Sequence, residues 1–436
     1  MRLKKHFIIV FIFFFLCGLK PAAAIFFEPE VFTLDNGMSF YVIRHNKGKT
    51  LFHGIFYRVG SLDDPLGKEG LAHFFEHMMF KGKDENLVYN LGGSENAYTT
   101  YHMTVYHQSF PKEQLRSILR REVRRMEKLP INDAEFRSEK QVILEERLQS
   151  YDNRPASLFR EHANGLYYYR HPYGRPVIGT RDSILNINRE DMDPFFDQYY
   201  TPQNAFSIVV GNIDPNEAFK IANATLGQVV LKKGEKNVRP TRPDHKYADI
   251  DLSVNDKSTH YPSLTILANG PSITPETVKS TAALSLLLDY LTDGENAYLN
   301  EHLAKKKELT LSLSAYYNAI LPFDGMVSFS FTPEKNISSE KVFDTFNDLL
   351  KKLVKEGIKK EKLDIHKKRL NASQIYLKDS PDTMLHAFGS YLSANLSVEE
   401  IEDIPNVYKG VTTEDVKAAL YWLIGSPKLK GERRPS

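Results

Sequence analysis

Cysteine is nearly absent from this sequence: its 436 residues contain one, Cys17, which lies in the first apolar segment. Without that segment the chain has no thiol. Cysteine nucleophiles and thiolate metal ligands are thereby excluded, and any metal must be held by nitrogen and oxygen. An excess of charge of one sign is also lacking. Lys and Arg number 57 against 55 Asp and Glu, and the basic residues are spread rather than gathered in a stripe, which leaves no electrostatic footprint for nucleic acid. Long apolar runs are missing too. Phe7 to Leu16 falls short of the roughly 20 residues that cross a bilayer. Preceded by Arg2, Lys4 and Lys5 and followed by Ala22-Ala23-Ala24, that run predicts a signal peptide over residues 1–24 and a secreted or periplasmic mature chain with no stable membrane span. An uncleaved anchor is the alternative.

What is present is ordinary globular composition, 42% hydrophobic and 26% charged, in a chain long enough for two or three domains. Asp35-Asn36-Gly37 between Val31–Leu34 and Met38–Ile43 signals a β-hairpin. Leu51 to Val59 reads as a strand and a helix begins near Gly70. The Thr- and Tyr-rich stretch Asn96 to Phe110 reads as one strand. Two helices follow, the second capped by Asn132 with Glu135 three residues on and running to about Ser150. Strand Ser207–Val210 comes after a helical Glu190–Tyr199, so the class is α+β. Lys232 to Tyr247 is charged, carries Pro240 and Pro243, and lacks apolar periodicity. The predicted organisation is therefore a first domain over residues 25–232, a linker over 233–247, a second α+β domain over 248–426, and a basic tail over 427–436.

The chemistry lies in His73-Phe74-Phe75-Glu76-His77. On a helix His73 and His77 stack one turn apart, and Glu76 reaches the same point. Two imidazoles at this spacing suit zinc, and the glutamate addresses a water rather than the ion; His-x-x-Glu-His is a known zinc-peptidase signature. The plain alternative is two half-buried histidines on an amphipathic helix. A catalytic zinc needs a third protein ligand and an open position. The helix after Asn132 offers Glu139 and Glu146, two turns apart on one face, while Glu145 points about 100° away from Glu146.

Beyond the motif, the sequence resembles the pitrilysin and mitochondrial-processing-peptidase family, the inverzincins. Gly60-Ser61, Gly70 to Gly82 around the motif, Asn96-Ala97-Tyr98-Thr99, Glu139 to Glu146, Gly174 to Thr180, and Tyr200 to Asn204 before Val209-Val210-Gly211 fall in family order. The resemblance implies two similar α/β-sandwich halves closing as a clamshell, and a zinc endopeptidase acting on peptides or unfolded polypeptides. It assigns one zinc per chain to His73, His77 and Glu146, with Glu145 the alternative third ligand, and it places Glu139 behind a ligating histidine. Glu76 becomes the general base that takes a proton from a water made acidic by the metal and returns it to the leaving amine. Asn96, Ala97 and Tyr98 match the family's edge strand, where a peptide substrate adds by main-chain hydrogen bonds.

The second half departs from the family. Relatives that work alone or as homodimers carry an Arg and a Tyr about seven residues apart there, facing the zinc. The matching stretch, Leu303 to Leu311, has Ala304 and Leu311 at those places. The expectation is a heterodimer whose homologous, zinc-free subunit supplies the Arg and Tyr. A non-catalytic scaffold of the same family is the competing reading.

Overall fold

Glycine and short polar turns punctuate the strands as the sequence suggests. The computed structural model describes residues 26–82, 86–127, 132–230 and 248–435; the expected signal peptide and linker lie outside them. The hairpin at Gly37, whose φ is +81°, joins β1 (Pro29–Thr33) to β2 (Ser39–Arg44). With β3 (Thr50–Tyr57), β4 (Ser94–Thr99), β5 (Thr104–Pro111) and β6 (Ala205–Gly211) they form a six-stranded sheet ordered β1-β2-β6-β3-β5-β4. The single strand expected over Asn96–Phe110 is in fact the β4–β5 hairpin. No Gly or Pro marks its turn, which is closed by Thr100, whose backbone N–H and side chain both bond the Met103 carbonyl at 2.8 and 3.1 Å.

The second half contains β7 (Ile250–Asp256), β8 (Ser263–Pro271), β9 (Thr310–Asn318), β10 (Asp324–Pro333) and β11 (Leu429–Pro435), ordered β7-β11-β8-β10-β9. This order repeats the first sheet without β1. The last strand of each half enters between two earlier strands, parallel to one and antiparallel to the other, as β6 does between β2 and β3 and β11 between β7 and β8. The expected basic tail is therefore corrected: Leu429–Pro435 is an interior strand. Its cations are neutralised in place, Lys430 by Asp251 and Glu340 at 3.0 and 2.6 Å and Arg433 by Asp256 at 3.3 Å.

Each half has its own apolar core between sheet and helices. A third core joins them, where Leu385, Phe388 and Leu392 of the Pro381–Ser393 helix pack against Ile43, Phe56, Phe206 and Ile208 on the other face of the first sheet. Among the described residues no helix is long and apolar enough to cross a membrane.

Candidate metal centre

The motif helix, Leu71–Met78, is fixed from both of its sides. Leu71, Phe74, Phe75 and Met78 are buried. Phe74 stacks on Phe136, and Phe75 stacks on Phe195 and Tyr200. Each such ring contributes roughly 1.5–3 kcal/mol by burial. This anchoring turns His73 and His77 toward the Asp133–Arg147 helix, whose Asn132–Glu135 capping box forms as the sequence suggests. At the start of the motif helix Asp64 accepts hydrogen bonds from the N–H groups of Gly70 and Ala72, each at 2.8 Å, satisfying donors that a helix start leaves open. Gly70 has φ +99°, and a Cβ there would stand 2.4 Å from the Ile178 carbonyl oxygen. Glycine is the residue that meets both demands.

Glu146 Oε2 lies 3.4 Å from His77 Nε2 and 3.8 Å from His73 Nε2. With metal–ligand bonds near 2.0–2.1 Å, donors around a tetrahedral zinc are about 3.3 Å apart, so the three donors are spaced to share one ion. Glu145 is exposed and accepts a bond from Gln149 at 2.8 Å; it does not enter the cluster. Glu139 Oε1 stands 2.9 Å from His77 Nδ1, and its other oxygen pairs with Lys81 at 2.8 Å. Burial holds the His73 imidazole down to about 4, so it is neutral and ready to ligate. Burial also opposes the charged form of His77, yet hydrogen bonds with Glu139 and Glu146 outweigh it and raise this ring to about 9. A metal at Nε2 would displace that proton while Nδ1–H stays on Glu139. The bond to His77, with burial working against it, sets Glu146 below the usual carboxylate range. A set of two imidazoles and one carboxylate with one histidine held from behind suits zinc. Glu139→Gln is expected to weaken zinc binding about 10- to 100-fold, read by competition with a chromogenic chelator.

Glu76 is buried beside the cluster, where burial raises its pKa above the ordinary value while a bond from Thr99 Oγ1 at 2.6 Å pulls it back. Thr99 ends β4, the edge of the sheet. Along that strand Glu95, Ala97 and Thr99 face the motif-helix side, and Asn96 and Tyr98 the opposite one. Glu95 is buried against Arg121 and Arg125, which ties the strand down. The Asn96 side chain accepts from the Ala97 N–H at 2.9 Å, and Tyr98 reaches His386 of the second half. Three contributors were missed in the sequence: Thr99, Lys81 and Asp64. Thr99 and Lys81 lay in segments already singled out, but neither side chain carried a spacing signal toward Glu76 or Glu139. In the second half Ala304 lies in the Asn300–Lys305 turn and Leu311 is half exposed on β9.

Together the doubled fold and a two-histidine, one-carboxylate cluster with a buried glutamate alongside define a two-domain chain of metallopeptidase type. A family model described as Insulinase (Peptidase family M16) matches residues 41–181, and one described as Peptidase M16 inactive domain matches residues 186–370. The chain belongs to peptidase family M16. Zinc protease PqqE of Helicobacter pylori is 28% identical over 402 residues, 89% of this chain and 88% of that protein. The crystal structure of a protease from Helicobacter pylori has a TM-score of 0.84 at 25% identity, covering 94% of this chain and 99% of that one. Mitochondrial-processing peptidase subunit beta of Blastocladiella emersonii is 23% identical over 246 residues, 55% of this chain and 52% of that protein.

Proposed function

We propose that this chain is a zinc-dependent endopeptidase for peptides or unfolded polypeptides. The observation that carries the reading is the convergence of His73 Nε2, His77 Nε2 and Glu146 Oε2 next to the buried Glu76. His73, His77 and Glu146 would hold one zinc, whose Lewis acidity polarises a carbonyl and makes water acidic. Glu76 takes the proton from the attacking water at a carboxylate oxygen and delivers it to the leaving amine. Glu139 holds His77 Nδ1–H and so directs the Nε2 lone pair. The free edge of β4 runs to Glu76 through Thr99, and its backbone at Asn96, Ala97 and Tyr98 is offered to a substrate strand. The Tyr98 side chain packs on the far face of the sheet, so its part in substrate binding is through the main chain.

The test is digestion of an unstructured peptide across pH by zinc-loaded chain, wild type and Thr99→Val. A general base works ionised, so activity falls as pH falls through the pKa of Glu76. Removing the Thr99 bond removes a stabiliser of the carboxylate, and the acid limb is expected to move to higher pH in the variant. An unmoved limb would contradict the role of Glu76.

The second half supports a heterodimer. Ala304 and Leu311 leave no Arg or Tyr at the expected places, the model described as inactive covers residues 186–370, which include them, and relatives are named as subunits. The partner we propose is a homologous, zinc-free chain that supplies both residues. An intact cluster argues against a purely structural role, since a scaffold has no need for three converging ligands. The Arg2–Ala24 pattern supports export to the periplasm or beyond.

A further inference from the structure

A second cluster of two histidines and one carboxylate lies where the halves meet. His107 is on β5, alternating with Tyr106, which packs in the first core, so its ring faces the second half. Asp382 and His386 are four residues apart on the Pro381–Ser393 helix, one turn apart on one face. Asp382 Oδ1 is 3.9 Å from His107 Nδ1 and 3.6 Å from His386 Nε2, and the two rings meet edge to face with centroids 4.4 Å apart.

These separations are too long for hydrogen bonds. They nearly reproduce the 3.8 and 3.4 Å of the first cluster and approach the spacing of about 3.3 Å between donors on a tetrahedral ion. Tyr98 Oη lies 3.1 Å from His386 Nδ1. In the tautomer whose Nδ1–H donates to that oxygen, the His386 Nε2 lone pair faces the Asp382 carboxylate, and a cation shared by the two would select that tautomer. Burial lowers the pKa of both His107 and His386, which favours neutral, ligating rings. The Asp382 side chain is 48% exposed, so an ion and its water can reach the site.

We propose that His107, Asp382 and His386 form a second binding site for a divalent ion of the zinc class, which clamps the Pro381–Ser393 helix of the second half onto the sheet of the first. Backed by the neutral Tyr98 phenol where the first cluster has the Glu139 carboxylate, it binds more weakly than the first cluster and fills at saturating zinc, whereas dialysed chain keeps the first ion alone.

The experiment uses full-length mature chain in which His73→Gln and His77→Gln have removed the first cluster, so the result does not depend on the peptidase reading. Titrated with Zn²⁺, that chain is expected to bind about one ion and to melt at higher temperature. With Co²⁺ it should show the visible bands of a four-coordinate site. Adding His107→Gln and His386→Gln should abolish uptake, bands and thermal shift together, and Asp382→Asn, at a half-exposed helix position, supplies the same test should the combined variant fold poorly. No uptake by the His73/His77 variant, or uptake that survives loss of His107 and His386, overturns the proposal.

Discussion

Glu76→Gln is expected to keep its zinc and to lose peptide hydrolysis by about 100- to 10,000-fold in kcat, the range that a positioned general base contributes. Glutamine matches glutamate in size and still accepts the Thr99 hydroxyl bond at 2.6 Å, so the pocket stays filled. What it cannot do is accept a proton. Zinc content by elemental analysis and turnover of an unstructured peptide, read on the same sample, separate the two roles. Unchanged turnover removes Glu76 from the mechanism, and loss of metal would recast it as a ligand.

The isolated chain should bind zinc yet cleave peptides slowly, and adding the zinc-free homologous subunit should raise kcat by about 100- to 1,000-fold, the usual cost of a missing oxyanion donor. Neither Ala304 nor Leu311 can donate a hydrogen bond from its side chain. Of the nearby phenols, Tyr317 is engaged by the Pro271 carbonyl and Tyr316 stands out in solvent on β9. Full activity from the chain alone, with no gain on mixing, would show that the donor is already present.

The parts of the fold that sequence revealed are those whose signals are local. Asp35-Asn36-Gly37 demanded a hairpin and Asn132 with Glu135 a helix start, and both formed because neighbouring residues settle them. The i, i+4 and i, i+7 spacings likewise brought His73, His77, Glu139 and Glu146 onto facing helices. Long-range pairing was less visible. Leu429–Pro435 read as a tail because Lys430, Arg433 and Arg434 look solvated until Asp251, Asp256 and Glu340 arrive from distant elements. The β4–β5 turn was missed because Thr100 closes it without glycine or proline. Repetition of the first sheet's order in the second was legible through the family resemblance alone, since pairing order is carried by backbone registers and leaves little trace in side-chain identity. His107 lay inside the stretch Asn96 to Phe110, which read as one strand, and had no ligand spacing to the motif helix. Its neighbours Asp382 and His386 come from a helix nearly three hundred positions away, beyond any spacing rule.

The central claim is that His73, His77 and Glu146 hold zinc. Its most direct test is the zinc retained after dialysis by the wild-type chain, Glu146→Gln and Glu145→Gln. Glu146→Gln is expected to retain about one ion fewer than wild type, because one of three converging donors is gone, while Glu145→Gln, altered at an exposed side chain that bonds Gln149, matches wild type. Zinc retained by Glu146→Gln and lost by Glu145→Gln would contradict it.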